Sequence, residues 1–152
     1  MRAEGKQSQI TGYSHVGVTV SNLERSAAFY CDLLGLKELR RRVFSEAFVA
    51  ERNDLYQLEK NMANTVTLCT AEGLELLTLF EWAEQRQAEP VVWNRPGISH
   101  IAFKVGDVDA VYERLRAAGA NIRTPVRTLP SGIRLMVVHD PDGTLIELAE
   151  QD

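Results

Sequence analysis

The chain has 152 residues, 45% hydrophobic and 25% charged, and its 17 Lys and Arg against 21 Asp and Glu give a net charge of −4. This length suits one domain, or two half-size units sharing a core. Binding a phosphate backbone needs a concentrated positive face, and the one basic run is Arg40-Arg41-Arg42, so nucleic acid is not an expected partner.

No apolar run approaches the length of a membrane span, so no membrane partner is expected either. The polar start, Met1–Gln9, lacks the apolar centre of a signal peptide. Cys31 and Cys69 read as reduced, buried thiols, which points to a cytoplasmic protein.

After a flexible tail at residues 1–11, the run His15-Val16-Gly17-Val18-Thr19-Val20 alternates. Its valines share one face of a strand, and His15, Gly17 and Thr19 share the other. Ser21-Asn22-Leu23-Glu24 has capping-box spacing, with Ser21 as N-cap and Glu24 three residues on. The helix it opens carries Leu23, Ala27, Tyr30 and Leu34 on one stripe and stops at Gly35. Leu36–Phe44 predicts a second strand, its arginine run forming a solvated edge. Residues 45–64 give mixed signals: Leu55, Leu58 and Met62 line a short helix, or the stretch is a loop over the site. Thr65–Thr70 is strongly β-like, Ala71-Glu72-Gly73 is a turn, and Leu74–Phe80 closes the unit with Glu75 between two leucines.

Glu81–Pro96 is polar, contains Pro90 and Pro96, and reads as a linker. The grammar then restarts. Gly97-Ile98-Ser99-His100-Ile101-Ala102-Phe103-Lys104-Val105 repeats the pattern of residues 12–20, with one histidine near the start of each strand. Ile101, Phe103 and Val105 point one way, and His100, Ala102 and Lys104 the other. Asp107 caps a helix with Val108, Val111, Tyr112, Leu115 and Ala118 on its core stripe, ended by Gly119. Two or three short strands follow, punctuated by Pro125, Pro130-Ser131-Gly132 and Asp140-Pro141-Asp142-Gly143. The last, Thr144–Ala149, sets Glu147 between Ile146 and Leu148, as Glu75 sits between leucines. The predicted fold is α+β: two tandem β-α-β-β-β modules forming a cupped mixed sheet. The first module covers about residues 12–81, the linker about 82–96 and the second module about 97–150, within one domain at 12–152.

Each module thus offers a histidine on its first strand and a glutamate on its last. A lone strand histidine is usually a hydrogen-bonded core or surface residue, and a lone glutamate a wet edge residue. Both types recur at matching places in both halves, which points to a mixed N/O site for a divalent ion built from His15, Glu75, His100 and Glu147. Ala102 and Gly17 leave room beside the histidines. Such a set leaves coordination positions open, and a carboxylate beside the ion can serve as a general base. His139 has no counterpart in the first half and reads as part of the turn before Asp140.

The pattern His15-x-Gly-Val-x-Val-x-x-Leu with Phe29-Tyr30-x-x-Leu-Leu-Gly35-Leu, together with Gly97-x-x-His100-Ile-Ala-Phe and Asp140-Pro-Asp-Gly-x-x-Ile-Glu147-Leu, resembles the vicinal oxygen chelate superfamily of glyoxalases, bleomycin-resistance proteins and extradiol dioxygenases. The resemblance implies paired modules cupped around a metal (Ni, Co, Zn, Mn or Fe). His15, Glu75, His100 and Glu147 then fall on the four glyoxalase I ligand positions, and Glu147, or else Glu75, is the base. Glyoxalase I has an arginine near the position of Thr19 that helps hold glutathione, and this chain lacks it. The resemblance supports three activities: a metal-dependent isomerase or lyase acting through an enediolate on a small oxygen-chelating substrate; an iron ring-cleaving dioxygenase using His15, His100 and Glu147; or a non-catalytic drug- or metabolite-binding resistance protein. It also implies a homodimer, since relatives are often dimeric and sheet edges need cover.

Overall fold

The computed structural model describes residues 8–151; most of the tail expected at residues 1–11 lies outside them. The first module runs β1 (Val16–Thr19), α1 (Leu23–Ala28), β2 (Lys37–Phe44), α2 (Glu46–Ala50), α3 (Asn53–Tyr56), β3 (Ala63–Cys69) and β4 (Glu75–Trp82). The second runs β5 (Ile101–Val105), α4 (Val108–Ala117), β6 (Ile122–Thr128), β7 (Arg134–His139) and β8 (Leu145–Glu150). Each folds into a four-stranded mixed sheet, ordered β1-β4-β3-β2 and β5-β8-β7-β6. In both, the first strand lies parallel to the last and the other neighbours are antiparallel. The repeat read from two histidine-bearing strands is therefore a repeat of topology.

Strand alternation decides which face is buried. Val18, Val20, Leu77 and Leu79 of the first sheet and Ile146 and Leu148 of the second enter one core with the helices. The faces carrying His15 and His100 are turned away from it. Cross-module contacts tie the halves together, among them Arg114 Nε donating to the Leu33 carbonyl at 2.8 Å and the buried Tyr30 hydroxyl donating to Asp140 Oδ2 at 2.8 Å. Burial, reinforced by the Asp140 charge, pushes the Tyr30 phenol far above its ordinary pKa, so it stays a donor throughout the accessible pH range. Cys31 and Cys69 are both free of disulfides.

Three local expectations are corrected. The N-cap of α1 is Asn22, whose Oδ1 accepts from Arg25 N at 2.9 Å. Ser21 instead bonds Asp142 of the second module through its amide and its hydroxyl. Tertiary contacts outrank the local capping box here, because Glu81 Oε2 accepts the Leu23 amide at 2.6 Å and fixes where the helix starts. Second, α1 passes into a π-helical turn at Phe29–Leu33 before Gly35, at φ +80°, ends it. Third, residues 45–64 hold two short helices anchored by Val49, fully buried, while Leu55 and Met62 are exposed. Phe44, Phe48 and Tyr56 pack there with Phe80 and Trp82, at centroid separations between 4.6 and 6.1 Å, so aromatic packing rather than an aliphatic stripe holds the segment down.

Candidate metal centre

His15 and His100 each stand immediately before the first strand of their module, and each follows a serine. Ser14 Oγ lies 3.0 Å from His15 Nδ1, and Ser99 Oγ 2.8 Å from His100 Nδ1. Occupying Nδ1 with a hydroxyl fixes the ring and leaves Nε2 as the free nitrogen, the arrangement a metal-ligating histidine needs. His100 Nε2 in turn lies 3.6 Å from Glu147 Oε2, with both side chains about a quarter exposed. Sheet register makes that meeting possible: β5 and β8 pair Ala102 with Glu147, and the small alanine leaves the carboxylate free to reach back toward His100.

The first module is arranged differently. Gly17, two residues after His15, pairs with Thr78, whose Oγ1 lies 3.3 Å from Thr67 Oγ1. Glu75 sits at the start of β4 beyond an irregularity, where Leu68 pairs with Leu77 but Cys69 pairs with Glu75. Its carboxylate forms an ion pair with Arg40. Of the four predicted residues, His100 and Glu147 are brought together. His15 is exposed just before the first strand of the other module, and Glu75 is held by Arg40 of β2. Among the described residues, no three His, Cys, Asp or Glu side chains are grouped to hold an ion. His139 ends β7, its Nδ1 3.4 Å from the Gly143 carbonyl, within the turn to which the sequence assigned it.

Sequence reasoning missed two features. Trp93, in the segment read as a plain linker, lays its indole over His100 with ring centroids 4.4 Å apart; nothing in the strand and helix periodicities marks such a residue. The second is the pair of serines, whose signal is visible, since Ser-His opens both repeats. Beside His100 a cleft of about 430 Å³ runs between Tyr13 and Leu76 of the first module and Ile98, Ala102 and Phe103 of the second. That volume falls in the range of small-molecule sites.

Imidazole nitrogens with tied Nδ1 atoms, together with a carboxylate, are a donor set that suits a borderline divalent ion. A family model described as the Glyoxalase/Bleomycin resistance protein/Dioxygenase superfamily matches residues 12–148. The chain belongs to this superfamily. YwkD of Bacillus subtilis, an uncharacterised protein, is 31% identical over 140 residues, covering 90% of this chain and 94% of its own. A lactoylglutathione lyase of Haemophilus influenzae is 28% identical over 137 residues and 90% of each chain. The fold is also that of the fosfomycin resistance protein FosX of Listeria monocytogenes, solved with Mn(II) and sulfate, at a TM-score of 0.65, 22% identity and 95% coverage of both chains. Among the described residues no helix is long and apolar enough to cross a membrane.

Proposed function

We propose that this glyoxalase-superfamily chain is a divalent-metal-dependent lyase or isomerase acting on a small substrate that presents two neighbouring oxygens. The observation that carries the reading is the Ser99–His100–Glu147 constellation: a tied imidazole beside a carboxylate at the edge of a cleft, with its Ser14–His15 counterpart on the other module. A divalent ion bound there supplies Lewis-acid neutralisation of negative charge that appears on substrate oxygens after a proton leaves. His15, His100 and Glu147 would hold the ion. Glu147, beside His100, is the carboxylate available to move the proton, while Glu75 is engaged by Arg40. The lyase from Haemophilus supports the reaction class, and FosX with Mn(II) supports a divalent metal. Glutathione is not required by this reading, because Thr19 stands where a glutathione-holding arginine is expected.

The protein works as a homodimer with sites shared between chains. Among the described residues, no hydrogen bond or ion pair joins His15 to His100 or Glu147, and both histidine-bearing faces are turned from the common core. A site then takes His15 from one chain and His100 and Glu147 from the other.

Metal analysis of the dialysed protein tests this. We expect about one Ni, Co, Zn or Mn per chain, and Glu147→Gln to weaken binding by more than about tenfold. Stoichiometric iron with catechol-dependent oxygen uptake would instead identify a ring-cleaving enzyme, and ligand binding without any metal a sequestering protein.

A further inference from the structure

We propose that the first module's counterpart of Glu147 is Thr78 and not Glu75, so that the metal centre has three protein ligands, His15, His100 and Glu147, and a hydroxyl where a second carboxylate would stand. This rests on the metal reading of the site, and two independent routes through the structure lead to it.

The first route starts at the histidines. In each module the residue two positions after the histidine pairs with the last strand of the sheet. In the second module that pair is Ala102 with Glu147, and in the first it is Gly17 with Thr78. The second route starts at the helices. Asn22 and Asp107 are the N-caps, each seven residues after its histidine, accepting from Arg25 N and Ala110 N at 2.9 Å. The first helical amide then donates to a glutamate of the last strand: Leu23 N to Glu81 Oε2 at 2.6 Å and Val108 N to Glu150 Oε2 at 2.9 Å. Glu81 and Glu150 are therefore equivalent. Counting back three residues along each strand, through β4 paired without a break to β3 from Leu77 to Glu81 and β8 paired to β5 from Ile146 to Glu150, reaches Thr78 and Glu147. The routes agree.

Glu75 lies three residues further back, about 10 Å of extended strand, and past the irregularity that lets Cys69 pair with it. The strand period of two does not carry across such an extra residue. Its carboxylate is already neutralised by Arg40. A neutral hydroxyl in the fourth place leaves a divalent ion with one net positive charge after Glu147, and with more open positions. This matches a substrate that arrives as an anion and binds through two oxygens.

The test uses the full-length protein and Ni(II) alone, followed by equilibrium dialysis, with circular dichroism to confirm folding. Glu75→Gln is expected to keep Ni(II) affinity within about twofold, whereas Glu147→Gln loses more than about tenfold. Arg40→Ala, which frees the Glu75 carboxylate, leaves the affinity unchanged. Thr78→Glu, which adds the missing carboxylate, tightens it; if that variant does not fold, Glu75→Gln and Arg40→Ala decide alone. A loss in Glu75→Gln equal to that in Glu147→Gln, or a gain in Arg40→Ala, overturns the three-ligand assignment while the metal reading stands. A wild-type chain that binds no Ni(II) or other divalent ion overturns both.

Discussion

A serine in front of each histidine is the smallest unit of this site. If Nε2 meets a metal, Nδ1 must carry the proton, and the serine hydroxyl is placed to accept it at 2.8–3.0 Å. Removing such an outer partner lets the ring rotate and lowers its basicity, effects that together weaken metal affinity by about 10- to 100-fold. Ser99→Ala is expected to fall in that range in a chelator competition assay while its melting temperature stays near wild type. An affinity equal to wild type would make the hydroxyls incidental. The Ser-His openings of the two repeats are visible in the sequence, each histidine standing just before a strand whose alternation has period two, and Glu147 lies on the regularly paired stretch of β8. Glu75 looks equivalent to Glu147 in the sequence, since it sits between leucines as Glu147 does between Ile146 and Leu148, but a register shift at Leu68–Cys69 sets its pairing apart from the regular run of β4. Alternation carries no marker for a bulge.

At the level of elements, each module fastens its helix to its last strand through one glutamate at the helix N-terminus. Glu81 holds α1 to β4 and Glu150 holds α4 to β8. The first amides of a helix have no partner within it, and an anion there also meets the positive end of the helix dipole. Glu81→Ala is expected to destabilise the fold by about 1–2 kcal/mol in urea unfolding, from the lost charge-assisted bond to Leu23 N and the helix-end term. A change within error would mean that Asn22 alone suffices as a cap. Helix stripes and glycine stops made α1 and α4 readable. The capping box at Ser21 failed because its bond partners come from outside the helix, Glu81 for the helix amide and Asp142 for Ser21 itself. Likewise the sequence left residues 45–64 open between a short helix and a loop, since α2 and α3 are too short for periodicity and are held by Phe44 just before them and by Phe80 and Trp82 of β4.

At the scale of the whole molecule, duplication places one histidine on each sheet and sends both to faces away from the shared core. Each chain of the proposed dimer then lends His15 to one site and His100 with Glu147 to the other. That arrangement makes a prediction no single-chain site can share. A homodimer of His15→Ala has two damaged sites, and so does a homodimer of His100→Ala. Refolding the two variants together forms mixed dimers in which one site carries both lesions and the other none. For random mixing about half the dimers are mixed, so the mixture should recover about one quarter of the wild-type metal-binding capacity, with catalytic activity recovering in parallel once a substrate is known. A site built within one chain would give no recovery at any mixing ratio, because every chain would keep its own lesion. Size-exclusion chromatography of the wild type over a dilution series provides the control, since a monomer at the assay concentration would remove the two-chain site before any mixing is done.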